Sequence, residues 1–147
     1  MEFQDFSLSV KDIKVGEFAE GLAQGKIRAT QCEQCGTIYY PPRHDCPHCF
    51  TDKMRWIELE GEGRLISYTT IYVPPEHFTT DFSKQAPFAR FSYHPAPVGI
   101  IELENGARVL GWIVGVKPKE LQVGMQLQPE PQVLPDGKVT IMLTPGD

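Results

Sequence analysis

Along the 147-residue chain the apolar positions change their period, and the change divides it into a short helix and many strands. In residues 16–26 (GEFAEGLAQGK), Phe18 and Leu22 lie four apart on one side of a helix and Gly25 offers a stop. Lys26 to Gln31 then reads as a strand, and Thr37 to Tyr40 as another before Pro41-Pro42 breaks the chain. From Arg55 the period is two: Ile57 and Leu59 share one face, Glu58 and Glu60 the other. Gly61-Glu62-Gly63 interrupts as a bulge or sharp coil would in a long bent strand, which Leu65 to Val73 continues. Val98–Leu103 and Arg108–Val116 flank Asn105-Gly106, a strong hairpin signal. Leu110, Trp112, Val114 and Val116 share a face, while Gly111 and Gly115 leave the other nearly bare. Met125 and Leu127 follow Gly124 as a further strand, and Asp136-Gly137 turns Gln132–Leu134 into Val139–Leu143. Five or six hairpin-joined strands with one long interruption predict a small closed barrel, since closure removes exposed edges.

The interruption, residues 74–97, opens on Pro74-Pro75 and closes on Pro95-Ala96-Pro97. Between them stand Phe78, Phe82, Phe88, Phe91 and Tyr93. Long structureless loops are uncommon inside compact domains and tend to be functional or disordered, and disordered segments are poor in aromatics. The loop is therefore expected to fold against something, either its own barrel or another protein. These five aromatics are the candidate partner interface, because exposed aromatic clusters mark interaction sites.

The candidate chemistry lies between helix and barrel. Cys32/Cys35 and Cys46/Cys49 form two C-x-x-C pairs ten residues apart, and they are all the cysteine in the chain. Two such knuckles can present four thiolates to one tetrahedral metal ion, leaving no position open for water or substrate. One structural zinc is the expected occupant, with iron the competitor for a four-thiolate site. Two disulfides would require an oxidising compartment, yet the first residues (MEFQDFSLSV) show no basic region followed by an apolar stretch. A redox C-x-x-C would be expected singly. His44 and His48 lie among the cysteines and read as solvent-facing residues. With every sulfur committed to metal, none remains as a nucleophile, and no catalytic residue is expected.

Composition narrows the remaining classes. A formal charge of −5 argues against binding a phosphate backbone, for which zinc ribbons are often used. Arg28, Arg43, Arg55 and Arg64 are scattered and read as solvating positions. No apolar run approaches the roughly 18 residues that span a bilayer, so no membrane partner is expected. A cysteine metal cluster without a signal peptide points to the cytoplasm. Thirteen Gly and thirteen Pro fit many turns between short strands. The organisation expected is an N-terminal helical segment at 1–28, a zinc ribbon at 29–54 and a barrel domain at 55–147.

This order of elements resembles a family of small proteins that join an N-terminal helix and a rubredoxin-like zinc ribbon to a C-terminal OB-fold, encoded beside thiolases. The resemblance is carried by EGLAQGKIRATQCEQCGTIYYPPRHDCPHC (20–49), GEGRLISYTTIYVPP (61–75), PVGIIELENGARVLGWIVG (97–115) and LQVGMQL (121–127). It implies a mainly β fold and a non-catalytic accessory subunit in a hetero-oligomer. The implied partner is a thiolase-fold catalytic subunit, or a hydratase-fold one, acting on an acyl-CoA substrate. Contact with the CoA thioester would come through the complex. Family settings include sterol side-chain breakdown, archaeal isoprenoid precursor synthesis and aromatic-compound degradation. The loop at 74–97 is larger than the family's usual Pro-Pro connection, so no binding detail carries over to it.

Two other functions compete with that reading. An OB-fold binder of single-stranded nucleic acid would use aromatic platforms in a positive groove, and the charge is wrong for it. A rubredoxin-like electron carrier would hold iron, yet it has no need of a barrel and a long aromatic loop. Iron at four thiolates is red and zinc is colourless.

Overall fold

Helix α1 (Lys14–Ala23) ends because Gly25 takes a left-handed conformation, φ 79°. The Lys26 N–H then donates to the Gly21 carbonyl at 2.8 Å and the Gly25 N–H to that of Leu22 at 3.1 Å, the paired bonds that close a helix C-terminus. The protein is described from a computed structural model, covering residues 14–71, 96–133, 137 and 139–146. It divides into two compact units, Met1–Leu59 and Glu60–Asp147.

In the first unit three strands follow the helix: β1 (Ile27–Cys32), β2 (Ile38–Tyr39) and β3 (Met54–Leu59). They form an antiparallel sheet in the order β2-β1-β3, with β3 paired to β1 from Ile27↔Leu59 to Cys32↔Met54. Leu22, Ile27, Ala29 and Leu59 are buried, and the Phe18 ring meets Tyr40 edge-on at 5.8 Å between centroids. The Lys14 ammonium lies 4.9 Å from the centre of the Trp56 ring. Thr30 is the one fully buried polar residue among those described, and its hydroxyl accepts from the Arg43 N–H at 2.9 Å. That bond satisfies a group whose burial would otherwise be costly, and it ties the segment after Pro41-Pro42 to the central strand. The expected long bent strand is instead two strands in different sheets. β3 stops at Leu59, and Gly61 bends the chain with φ 90° before the next strand begins at Gly63.

The second unit is a closed five-stranded barrel. Its strands are β4 (Gly63–Ile71), β5 (Ala96–Leu103), β6 (Arg108–Ile113), β7 (Gln126–Val133) and β8 (Val139–Pro145), in the order β4-β5-β6-β8-β7. Every pairing is antiparallel except β6 with β8, and β4 closes the barrel on β7 through Gly63↔Leu127 and Arg64↔Gln126. This is the OB-fold arrangement. A bulge between Leu65 and Ser67 shifts the β4–β5 register, which lets one strand bend to serve both neighbours. The expected Asn105-Gly106 hairpin is present: Gly106 has φ 85° and the Leu103 N–H donates to the Ala107 carbonyl at 2.8 Å.

Leu65, Ile101, Val109, Ile113, Leu127 and Leu143 fill the barrel, each at most 1 % exposed. On β6 the core side is the one that looked bare: Val109 and Ile113 point inward with Gly111 between them, while Leu110 is 57 % exposed. Gly111 is needed there, since a Cβ would stand 2.8 Å from the Ile141 carbonyl oxygen. Its partner across the sheet is Gly99, where a Cβ would meet the Ile113 side chain at 2.7 Å. Val114 and Val116 lie past the end of β6 and are buried nonetheless. Among the described residues no helix is long and apolar enough to cross a membrane.

Candidate metal centre

Strand β1 delivers Cys32 at its end, and the chain folds back over Glu33–Thr37 into β2. The Cys32 N–H donates to the Thr37 carbonyl and the Gly36 N–H to the Cys32 carbonyl, each at 2.9 Å. The second knuckle repeats the pattern: the Cys46 N–H reaches the Thr51 carbonyl at 2.9 Å and the Phe50 N–H the Cys46 carbonyl at 2.8 Å. In each knuckle the second cysteine's N–H also points at the first cysteine's sulfur, 3.5 Å for Cys35 to Cys32 and 3.4 Å for Cys49 to Cys46. The repeat forces a left-handed residue directly after each pair, Gly36 at φ 76° and Phe50 at φ 57°. Glycine adopts that conformation freely, whereas a side chain costs roughly 1–2 kcal/mol.

The two knuckles bring all four sulfurs within 4.8 Å of one another. Cys35 Sγ and Cys46 Sγ stand 3.7 Å apart, against about 2.05 Å for a disulfide, and all four cysteines are free. A regular tetrahedron with metal–sulfur bonds of about 2.3 Å has edges of about 3.8 Å. The donor set therefore fits one tetrahedral ion of the soft, thiolate-seeking kind. Cys32 and Cys46 are buried, Cys49 is half-buried and Cys35 is exposed. Among the described residues, His44 and His48 stand outside the cluster on exposed positions, with His44 Nε2 3.8 Å from Asp45.

Hydrogen bonds around the sulfurs make them unequal. The Tyr39 hydroxyl lies 3.3 Å from Cys46 Sγ, and by donating to the thiolate it holds Cys46 down at about 6. The same bond pushes the Tyr39 hydroxyl up to about 12. Cys35 Sγ and Thr37 Oγ1 stand 3.2 Å apart, and the hydrogen bonding of Thr37 to the sulfur lowers that thiol. Cys49 is pushed up to about 12, chiefly because it is left as the hydrogen donor to Cys35. Four sulfurs this close cannot all carry charge without a cation between them. Neither Tyr39 nor Thr37 stood out in the sequence, because both contacts depend on how β2 pairs with β1, Thr30↔Tyr39 and Gln31↔Ile38. The Arg43 guanidinium sits 5.6 Å from the centre of the Tyr39 ring.

The aromatic set expected at a partner interface, Phe78, Phe82, Phe88, Phe91 and Tyr93, lies outside the described residues.

Residues 19–55 match the family described as "ChsH2, rubredoxin-like zinc ribbon domain", and residues 56–130 match "ChsH2, C-terminal OB-fold domain". The chain belongs to this family. Among its relatives is a DUF35 domain-containing scaffold protein of Methanocaldococcus jannaschii, 39 % identical over 99 residues, 67 % of this chain and 62 % of that one. The chain thus spans under two thirds of that relative's length. A scaffold protein of the same description from Methanothermobacter thermautotrophicus is 33 % identical over 103 residues, 69 % of this chain and 68 % of that one. A probable enoyl-CoA hydratase alpha subunit of Thermomonospora curvata is 28 % identical over 72 % of this chain and 29 % of its own length. Among solved structures, a chain of the "Ltp2-ChsH2(DUF35) aldolase" superposes with a TM-score of 0.73 at 23 % identity, covering 93 % of this chain and 97 % of that one. A DUF35-family protein from Sulfolobus solfataricus gives 0.59 at 22 %, over 95 % and 90 %. At that identity the likeness concerns the fold: a zinc ribbon followed by an OB-fold barrel.

Proposed function

We propose that this chain is a non-catalytic, zinc-binding accessory subunit of an acyl-CoA-processing enzyme. The observation that carries the reading is the convergence of every cysteine of the chain on one closed four-sulfur site. A thiolase needs a cysteine nucleophile for acyl transfer, activated by a base, and this chain has no sulfur to spare. Cys32, Cys35, Cys46 and Cys49 would hold one zinc, which supplies a cross-link between the two knuckles. The acyl chemistry then belongs to a thiolase-fold catalytic subunit in a hetero-oligomer. Relatives described as scaffold proteins support an accessory role, and the one described as a probable enoyl-CoA hydratase alpha subunit supports a setting in acyl-CoA chemistry.

The finer reading is the small subunit of the thiolase that cleaves benzoylsuccinyl-CoA in anaerobic toluene degradation. There it would support the catalytic chain, with the aromatic loop at 74–97 as its interface or as a wall of the acyl channel. A hydratase-fold partner is the second reading, and the Thermomonospora curvata relative is the observation that favours it.

The test is co-expression with the thiolase-fold or hydratase-fold chain encoded in the same gene cluster. A co-purifying complex should cleave or hydrate its acyl-CoA, while the isolated chain turns over none. Colourless protein with one zinc per chain by elemental analysis is expected. Turnover by this chain alone, free of contaminating thiolase, would overturn the accessory role.

A further inference from the structure

The second knuckle carries Phe50 where the first carries Gly36. Both residues donate an N–H to the carbonyl of the first cysteine of their knuckle, at 2.8 and 2.9 Å, and both have positive φ. The fold therefore demands left-handed backbone at this place, and only one knuckle meets the demand with glycine. Phe50 is also 88 % exposed, the highest value among the exposed large apolar residues described. The chain thus holds a phenylalanine in a disfavoured conformation and buries almost none of its surface. Neither local backbone preference nor packing among the described residues accounts for it. A backbone outlier without an internal cause is grounds for a functional hypothesis.

We propose that Phe50 is a docking anchor, inserted into an apolar pocket on the surface of the catalytic chain; this rests on the accessory-subunit reading above. The knuckle is suited to the task. Hydrogen bonds from both cysteines and the sulfur cluster fix the backbone beneath the ring, and phenylalanine has only two side-chain torsions to freeze. Pre-organisation of this kind lowers the entropy lost on binding, and buried aromatic anchors dominate interface energetics.

The surroundings decide what kind of occupant fits. Exposed residues near Phe50 in the chain carry both signs: Arg43, His44 and Lys53 against Asp45 and Asp52. A protein pocket with a mixed polar rim matches that pattern. A nucleic acid or an anionic lipid surface would call for a run of Lys and Arg, which is absent here.

Phe50→Gly and Phe50→Asn test the anchor, since both residues tolerate left-handed backbone. The isolated variants should bind zinc as wild type does and melt no lower. Their Kd for the catalytic chain that co-purifies with wild type should rise about 30-fold or more, the effect of losing a hot-spot aromatic. Phe50→Tyr should bind like wild type. Wild-type affinity in both Phe50→Gly and Phe50→Asn overturns the proposal while leaving the accessory role standing. Complete failure of the wild-type chain to bind a thiolase- or hydratase-fold subunit overturns both. If both variants melt far below wild type, the ring is structural and the anchor is refuted. A wild-type homodimer that dissociates on Phe50→Gly would assign the pocket to a second copy instead, and loss of oligo-dT binding would assign it to nucleic acid.

Discussion

Replacing Tyr39 by Phe removes a single hydrogen bond to the metal site and little else. The hydroxyl is 3.3 Å from Cys46 Sγ, and the ring keeps its place in β2 with the Arg43 guanidinium 5.6 Å from its centre. A hydrogen bond to a charged acceptor contributes about 1.5–3 kcal/mol. Tyr39 is half-buried, so water replaces part of the lost bond and the lower end applies. Removing a partner of a metal ligand typically costs about 10–100-fold in metal affinity. Tyr39→Phe should therefore weaken zinc binding about 10-fold. Competition against a chromophoric chelator at constant pH measures this directly. Thr37→Val removes the corresponding bond to Cys35 and should cost less, because Cys35 is exposed and water can donate in its stead. Zinc affinity of Tyr39→Phe equal to wild type would refute the idea that this hydroxyl tunes the site.

Three further outcomes are expected. Cys46→Ser should reduce the zinc content from one per chain to near none and unfold the ribbon, read by elemental analysis and amide hydrogen exchange, because binding energy at such sites is folding energy. Ile113→Ala, at a barrel position 1 % exposed, should cost about 2–5 kcal/mol in urea unfolding, whereas Leu110→Ala on the outer side should cost under about 0.5 kcal/mol. Alanine at Phe78, Phe82, Phe88, Phe91 or Tyr93 should weaken complex formation by about 2 kcal/mol where the ring is an interface hot spot, with the chain's own stability unchanged. If all five lower the melting temperature and leave affinity untouched, the loop packs on its own barrel.

The parts that were readable from sequence are those in which spacing alone dictates geometry. C-x-x-C twice over, with Gly36 following the first pair, leaves few ways to fold but two knuckles, because the local hydrogen bonds and left-handed turn lie within six residues. Asn105-Gly106 marks a hairpin for the same local reason. What escaped depends on contacts between distant segments. The Tyr39 hydroxyl reaches Cys46 only because β2 returns along β1 while the second knuckle folds over it. On β6, Gly111 made the core face look empty, and its purpose appears only when the Ile141 carbonyl is seen to approach from β8. The end of β3 at Leu59 was hidden because the same alternation of apolar residues resumes after Gly63, in a sheet with different partners.

The two units differ in what can hold them together, and this bears on why a metal that performs no chemistry would be retained. Among the described residues of the first unit the buried apolar side chains are few: Leu22, Ile27, Ala29 and Leu59, besides the two buried cysteines. A fold of such size buries too small a share of its surface to offset chain entropy, and small domains of this kind usually rely on disulfides, metals or partners. Among the described residues the barrel has the larger core, and its five strands close on themselves with no metal-binding cluster. A chelator should therefore remove protection from amides of the ribbon strands first, Ile27–Cys32 and Met54–Leu59, and leave those of Val109 and Leu143 protected. Loss of protection in both units together would mean that the barrel draws its stability from the ribbon. Metal would then be a requirement of the whole chain rather than of the element that presents Phe50.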